Sequence, residues 1–550
     1  MMDIRNTYLS TINDAYKVAL SVVTNESAIA RISTAKESIL IRIQSDAFVK
    51  VPFVGDFSAG KSSLINAFLG RQELLPTDIT PETAVSYELW YAEDELLELW
   101  KNNSLVGTYK IEDIKKMNVS PGDIVKVYLN SAKIKDLIQR GIVLVDMPGV
   151  DSGIEAHTSA ILNYIHQGTY FVIVVDVEQG TLRGTTLSFI EELKKYGISA
   201  SVFLSKCDKK PTAEVQKIKD AVNSIASRML AEGTFVGITS AHQGQFDDLE
   251  SCLSSLEAES MIRQKYDLSV KRFIASIIDE IELRKSLLKN ADRDYSEEIE
   301  LIKEKKANAI KELRAHSNNA QSIEGSASDI MNDLEYALKA ASSKLALLLY
   351  GNKDNSIDVN AEIMSIIRPV LINSFQRELS EYQDVLDDGI QNFSINIDDI
   401  FLTLDDEKER FGSFGDLIKD ILSEALVLFE IPPVVAELIA NKIAKYVPDF
   451  LRSAFGKSDA QVLGEIKTKL QNEVFPQLIS SIRPKVVEIL KKERESLLAK
   501  AEEDIRNESE KYDEAISQIQ KEREQAEIDF AAAAKELDGA IEQLSGLLKL

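Results

Sequence analysis

The chain is 550 residues long, with 89 acidic side chains against 64 basic ones, a formal net charge of -25, and 44% apolar residues. One hydrophobic core does not organise that length, and about three or four domains are expected. A surface this acidic is not drawn as a whole to nucleic acid or anionic lipid, and no run of Lys or Arg makes a local exception. The two cysteines, Cys207 and Cys252, cannot form a disulfide framework, so a reducing cytoplasm is the simplest setting. The N-terminus carries Asp3 and Asp14 without a clean apolar core, and no stretch reaches the roughly 18 uncharged residues of a spanning helix. Neither a signal peptide nor a transmembrane helix is expected.

Residues 1–47 read as mainly helical and precede the first strand. Short β-rich runs then alternate with amphipathic stretches: "VPFVG" (51–55), "GIVLVDMPG" (141–149), "YFVIVVD" (170–176), "SASVFLSKCD" (199–208) and "TFVGITSA" (234–241). Fifteen of the 24 glycines fall between Gly55 and Gly244, whereas no proline stands between Thr212 and Arg368. The first half therefore reads as an α/β domain, a mixed and mostly parallel sheet with helices on both faces. Its ligand chemistry is expected at the carboxyl ends of the strands.

The second half reads as long helices. Ile274, Ile278, Ile281 and Leu288 begin one apolar stripe, and Val486, Leu490, Leu497, Ala501 and Ile505 begin another. Breaks are expected near 317–328 and 351–356. No proline follows Pro484, which allows a final run of about 100 Å at about 1.5 Å per residue. A solvated coiled-coil spacer has the same spacing, but several helices bury their stripes more economically as an antiparallel bundle.

Four motifs stand in order in the first half. "GDFSAGKSS" (55–63) follows a strand and opens a helix. Gly55 and Gly60 permit a loop whose amides, from Asp56, Phe57, Ser58 and Ala59 through to Ser63, cradle phosphate oxygens. Lys61 is expected to bridge the β- and γ-phosphates and Ser62 to ligate Mg²⁺. "DMPG" (146–149) supplies Asp146 for Mg²⁺ and the Gly149 amide for the γ-phosphate. "SKCD" (205–208) supplies Asp208, which can accept from the N1 and N2 donors of guanine, while the Lys206 stem lies against the base. Adenine lacks those donors, so an ATPase would leave Asp208 unexplained. "TSA" (239–241) offers the Ser240 and Ala241 amides to the guanine carbonyl. The polar loop "LPTDITPETAV" (75–85) suits a switch, with Thr83 or Thr80 joining the Mg²⁺ shell. The ligand pair is GTP and GDP, the activity GTP hydrolysis, and no nucleic-acid partner is expected. Val150 stands where a Ras-like switch protein has its water-orienting Gln, so catalysis must come from elsewhere, and Ser58 lies in the phosphate loop itself.

With "GDFSAGKSS", "LPTDITPETAV", "DMPG" and "SKCD" ahead of a helical region, the sequence resembles the dynamin superfamily of large GTPases, most closely its bacterial dynamin-like members. The motifs lie within 50–241, whereas the likeness of architecture covers the chain. The resemblance implies a helical segment 1–47 joining a neck bundle, a GTPase domain over 48–265, and a helical neck and stalk over 266–550. It implies that Ser58 places water or a stabilising monovalent cation (K⁺ or Na⁺), that Thr83 rather than Thr80 is the switch threonine, and that Phe57 departs from the family's usual Gln. It further implies homodimerisation through GTP-bound heads, higher assembly or a second dynamin-like subunit, and membrane remodelling. Localisation would be cytoplasmic, peripheral to the inner membrane. The apolar segment 411–455, with its stripe from Phe414 to Phe429 and the turn at Pro432-Pro433, is the candidate lipid-contacting hairpin, the alternative being a hairpin whose stripe packs into the bundle. The alternative is a GTP-regulated helical scaffold for protein partners that remodels no membrane.

Overall fold

The computed structural model describes residues 4–549 apart from 57, 78–84, 102–103, 121, 150–163, 165–169, 196–197, 231–233, 290–295, 352–355, 392–457 and 525–529. The candidate hairpin 411–455 thus lies outside the described residues, as do Phe57, Thr80, Thr83 and Val150.

Nine strands form one sheet: β1 (Val49–Val54), β2 (Ser86–Tyr91), β3 (Leu96–Lys101), β4 (Ser104–Tyr109), β5 (Ile124–Leu129), β6 (Ile142–Asp146), β7 (Phe171–Asp176), β8 (Ala200–Ser205) and β9 (Val236–Ile238). Their order is β4-β3-β5-β2-β6-β1-β7-β8-β9. From β6 to β9 every pairing is parallel, whereas β2 runs antiparallel to β6 and β3 antiparallel to both β4 and β5. The central strands β1, β6 and β8 are buried along their whole length, as mainly apolar strands covered on both faces are. β5 alternates buried and half-buried positions, and β4 at the edge is exposed. The interval 86–129, to which the apolar pattern assigns no strand, supplies four of them.

Helices cover both faces. On one, Ile190 and Leu193 of α5 (Gly184–Lys195) and Val215 and Val222 of α6 (Thr212–Met229) pack on Val143, Ile173 and Val202 of the sheet. On the other, α3 (Lys61–Phe68), α4 (Ala132–Gln139), α7 (Asp247–Ser255) and α8 (Ala258–Lys289) bury Leu64, Ile134, Leu253 and Ile262 against Val49, Val51 and Phe53. That second core does not stop at the sheet. It continues along α8 into α1 (Ile4–Val22), α2 (Glu26–Asp46) and α14 (Phe530–Leu547), through Tyr8, Ile12, Ile274, Ile281, Leu537 and Leu544.

The remaining helices are α9 (Ser296–Asn319), α10 (Ile323–Gly351), α11 (Ser356–Gln391), α12 (Asp459–Lys469) and α13 (Phe475–Glu524). α13 has 50 residues, about 75 Å of helix, and passes through Pro484. It is the spine of the helical half. Phe475 to Leu490 join α10 and α11 in one core, Leu497 to Ile505 join α9 and α11 in a second, and Tyr512 to Ile519 enter the core shared with α1 and α8. Along the flank, Lys344 of α10 reaches Glu191 of α5 at 2.9 Å, and Arg368 of α11 lies 3.4 Å from Glu192. The helical half thereby docks on the sheet domain at α5. Among the described residues no helix is long and apolar enough to cross a membrane.

Candidate active site

β1 ends at Val54 and α3 begins at Lys61, so the phosphate-loop sequence spans a strand-to-helix turn. A Cβ on Gly55 would meet the Val174 carbonyl oxygen of β7 at 2.1 Å, so no larger residue fits there. Gly60, at φ 87°, opens the helix in the left-handed region. The Lys61 ammonium donates to the Gly55 and Asp56 carbonyls, each at 3.0 Å, which curls the loop around the lysine.

One residue further, Ser62 Oγ donates to Asp146 Oδ2 at 2.6 Å. Asp146 closes β6 and is 2% exposed, and its second oxygen, Oδ1, is buried with no hydrogen-bond partner. Burial pushes this carboxyl up to about 6, against the opposing pull of Ser62 and Lys61. A hydroxyl and a carboxylate with an unsatisfied oxygen are the donor set a hard cation takes, and Mg²⁺ fits it. At the root of the 75–85 loop, the Asn66 amide of α3 clasps Leu75, donating to its carbonyl at 2.9 Å and accepting from its N–H at 2.8 Å.

At the other end of the site, Asp208 Oδ1 accepts from Ser240 Oγ at 2.5 Å, and Ser240 Oγ accepts in turn from the Gln243 amide at 3.1 Å. The Ser240 hydrogen bond holds the Asp208 carboxyl below its usual range, so it presents an oriented negative charge at neutral pH. Lys206, in the left-handed region at φ 54°, crosses from this end to the other. Its ammonium donates to the Ser58 carbonyl at 2.7 Å and to Asp176 Oδ2 at 2.6 Å. Its stem passes Gly60, where a Cβ would sit 3.5 Å from Lys206 Cε. Beside it, Ser205 Oγ donates to the Ala59 carbonyl at 2.6 Å. The "SK" pair therefore ties the Asp208 loop to the phosphate loop.

Residues 51–207 match the family model described as Dynamin family. The chain is 24% identical over 294 residues to Dynamin-like protein 2 of Campylobacter jejuni, covering 50% of this chain and 46% of that protein. Over 144 residues, 26% of this chain and 12% of its relative, it is 28% identical to Dynamin-like protein A of Bacillus subtilis. It thus spans less than half the length of either relative. A solved chain of an oligomerised bacterial dynamin pair aligns over 91% of this chain and 92% of its own length, with 16% identity and a TM-score of 0.31. Over residues 51–207 the chain is thus similar to the dynamin family.

The matched residues 51–207 all lie within the sheet domain. Of the residues singled out in the sequence, the sheet domain bonds Lys61 to Gly55 and Asp56, Ser62 to Asp146, Lys206 to Ser58 and Ser240 to Asp208, with Ala59 held by Ser205 and Gly60 beside the Lys206 stem. Ser58 takes the left-handed region at φ 63°, a conformation a non-glycine residue rarely holds. Ser63 follows in the first turn of α3, Gly149 is buried three positions beyond Asp146, and Ala241 follows Ser240. Three contributors to this candidate site are not evident from motif reading. Ser205 is a fastener as well as the first letter of "SKCD", Asn66 roots the 75–85 loop, and Asp56 carries a side-chain network of its own.

Proposed function

We propose that this chain binds Mg²⁺ and GTP, hydrolyses GTP to GDP and phosphate, and couples turnover to movement of its helical half. The observation that carries this reading is the pairing of two unlike ends. Ser62 meets a buried Asp146 with an unsatisfied oxygen at one end, and Ser240 orients an ionised Asp208 at the other. Lys61 would hold the β- and γ-phosphates, with Ser62, Asp146 and Thr83 around the metal. Bound Mg²⁺ neutralises charge on the phosphate oxygens. Ser58, together with loop amides and the Gly149 amide, would arrange the attacking water, aided by K⁺ or Na⁺. Asp208 would select guanine through two accepted hydrogen bonds, with Ser240 and Ala241 at its carbonyl.

In this proposal 48–265 is the head, 1–47 joins a neck with helices that follow it, and 266–550 supplies neck and stalk. Two GTP-bound heads pair and complete each other's site, and the hairpin 411–455 touches lipid from the cytoplasmic side. Two measurements test it. Turnover per molecule should rise with protein concentration, and a flat profile contradicts paired heads. Wild type should co-sediment with liposomes and Ile421→Asp should not. If neither pellets with any lipid, the scaffold alternative replaces membrane remodelling.

A further inference from the structure

A phosphate cradle works through backbone amides, and its second position calls for no side chain. Here that position is Asp56, 2% exposed. A buried carboxylate inside an anion-binding loop is costly and repels the ligand unless donors offset it. Donors come from the segment that leaves β7 and enters α5. Thr186 Oγ1 donates to Asp56 Oδ1 at 3.2 Å, Gln179 Nε2 donates to Oδ2 at 3.1 Å, and Arg183 Nε lies 3.4 Å from Oδ2. Thr186 is itself 2% exposed and sits in the first turn of α5, so the contact fixes the helix as well as the loop before it. Further along the same helix, Glu191 and Glu192 meet Lys344 and Arg368 of the stalk. α5 is therefore held by the phosphate loop near its start and by the stalk further along.

We propose that Asp56 is a positioning residue for GTP hydrolysis. It holds the segment 177–186, and α5 with it, in fixed register with the phosphate loop, so that the stalk-bearing helix and the phosphate-binding amides move as one unit. The proposal rests on the hydrolytic function given above. Asp56 acts through the geometry of its neighbours, while Lys61, Ser62, Asp146 and Asp208 supply the ligand contacts.

The test compares the full chain with Asp56→Ala, Asp56→Asn and Arg183→Gln. It follows steady-state GTP hydrolysis, affinity for a fluorescent GDP analogue, thermal unfolding, and the rate of tryptic cleavage after Arg183. Asp56→Ala should lower kcat roughly tenfold to a hundredfold, as misplacement of a preorganised site does. GDP affinity should stay within about threefold, because its own contacts are intact. Asp56→Asn keeps an acceptor for Gln179 or Thr186 but loses the charge facing Arg183, and should fall between. Arg183 is 54% exposed, so Arg183→Gln folds and should lower kcat in the same direction, by less. Cleavage after Arg183 should quicken in Asp56→Ala. Unchanged kcat in Asp56→Ala and Arg183→Gln overturns the proposal. So does a parallel loss of kcat and GDP affinity that tracks a lowered Tm, because that marks a general structural role. If Asp56→Ala does not fold, Asp56→Asn and Arg183→Gln decide the matter. If the wild type turns over no GTP, the function fails instead, and the cleavage rate still decides whether Asp56 holds the segment.

Discussion

The two ends of the site hold their carboxylates in opposite ways. At the phosphate end, Asp146 is buried with one oxygen unsatisfied, and burial drives its carboxyl up to about 6. At the base end, Asp208 is half-exposed, and the Ser240 hydroxyl draws its carboxyl down. The first environment is incomplete without a cation. The second already has its hydrogen bond from Ser240, and in the proposed function it receives a neutral base with two donors. The proposed function would thus separate charge neutralisation from recognition, with Ser205 and Lys206 bonding the Asp208 loop to the phosphate loop between the two ends.

The comparison breaks most sharply at Lys61. Lys61→Ala removes the cation facing the phosphates and should lower kcat/KM for GTP roughly a thousandfold, measured by phosphate release. Next comes Asp208→Asn, which trades an acceptor pair for one acceptor and one donor. Preference should move from GTP toward xanthosine triphosphate by roughly a hundredfold or more in competition, because guanine donors lose their partner. Retained preference for GTP would remove Asp208 from base recognition.

Asp146 offers a smaller and pH-dependent effect. Its folded pKa of about 6 stands above the ordinary 3.8, so the folded protein binds this proton more tightly than the unfolded chain does. That contribution is fully present below the ordinary value and is lost as pH rises through about 6, a loss of roughly 3 kcal/mol by neutral pH. Without metal or nucleotide, Asp146→Asn should therefore unfold at a higher temperature than wild type near pH 7.5, with the gap closing toward about pH 4. Mg²⁺ with GDP should stabilise wild type less as pH falls below about 6, because the proton competes for the same carboxylate. Smallest is Ser240→Ala, which loses one hydrogen bond to a half-exposed carboxylate. It should weaken GDP binding by about 1 kcal/mol, roughly fivefold, in equilibrium titration.

The sequence made β1, β6, β7 and β8 legible because they are predominantly apolar runs that end in polar loops. It made the helical breaks at 317–328 and 351–356 legible too, where α9 gives way to α10 and α10 to α11. It hid β2 to β5, and Glu88 shows why. "SYELWY" places a charged residue in mid-strand, which reads as surface, yet Glu88 is fully buried. Lys50 of β1 meets it at 2.6 Å, Tyr164 donates at 3.0 Å and Trp90 at 3.1 Å. Burial alone would raise the Glu88 carboxyl, but the Lys50 ammonium holds it below its ordinary range. Asp56 was hidden for the same reason. Its partners Gln179, Arg183 and Thr186 lie more than 120 positions away and form no spaced motif. Chemistry carried by neighbours in sequence can be read from a motif, whereas chemistry assembled across the fold cannot.

The central claim is that a metal-assisted phosphate end and a guanine-reading end act together. Steady-state phosphate release by the purified chain with Mg²⁺, supplied in parallel with GTP and with ATP, tests it most directly. The account predicts turnover of GTP that is lost on chelating the metal, with ATP turned over at least a hundredfold more slowly. Equal use of the two nucleotides, or GTP turnover indifferent to metal, would contradict it.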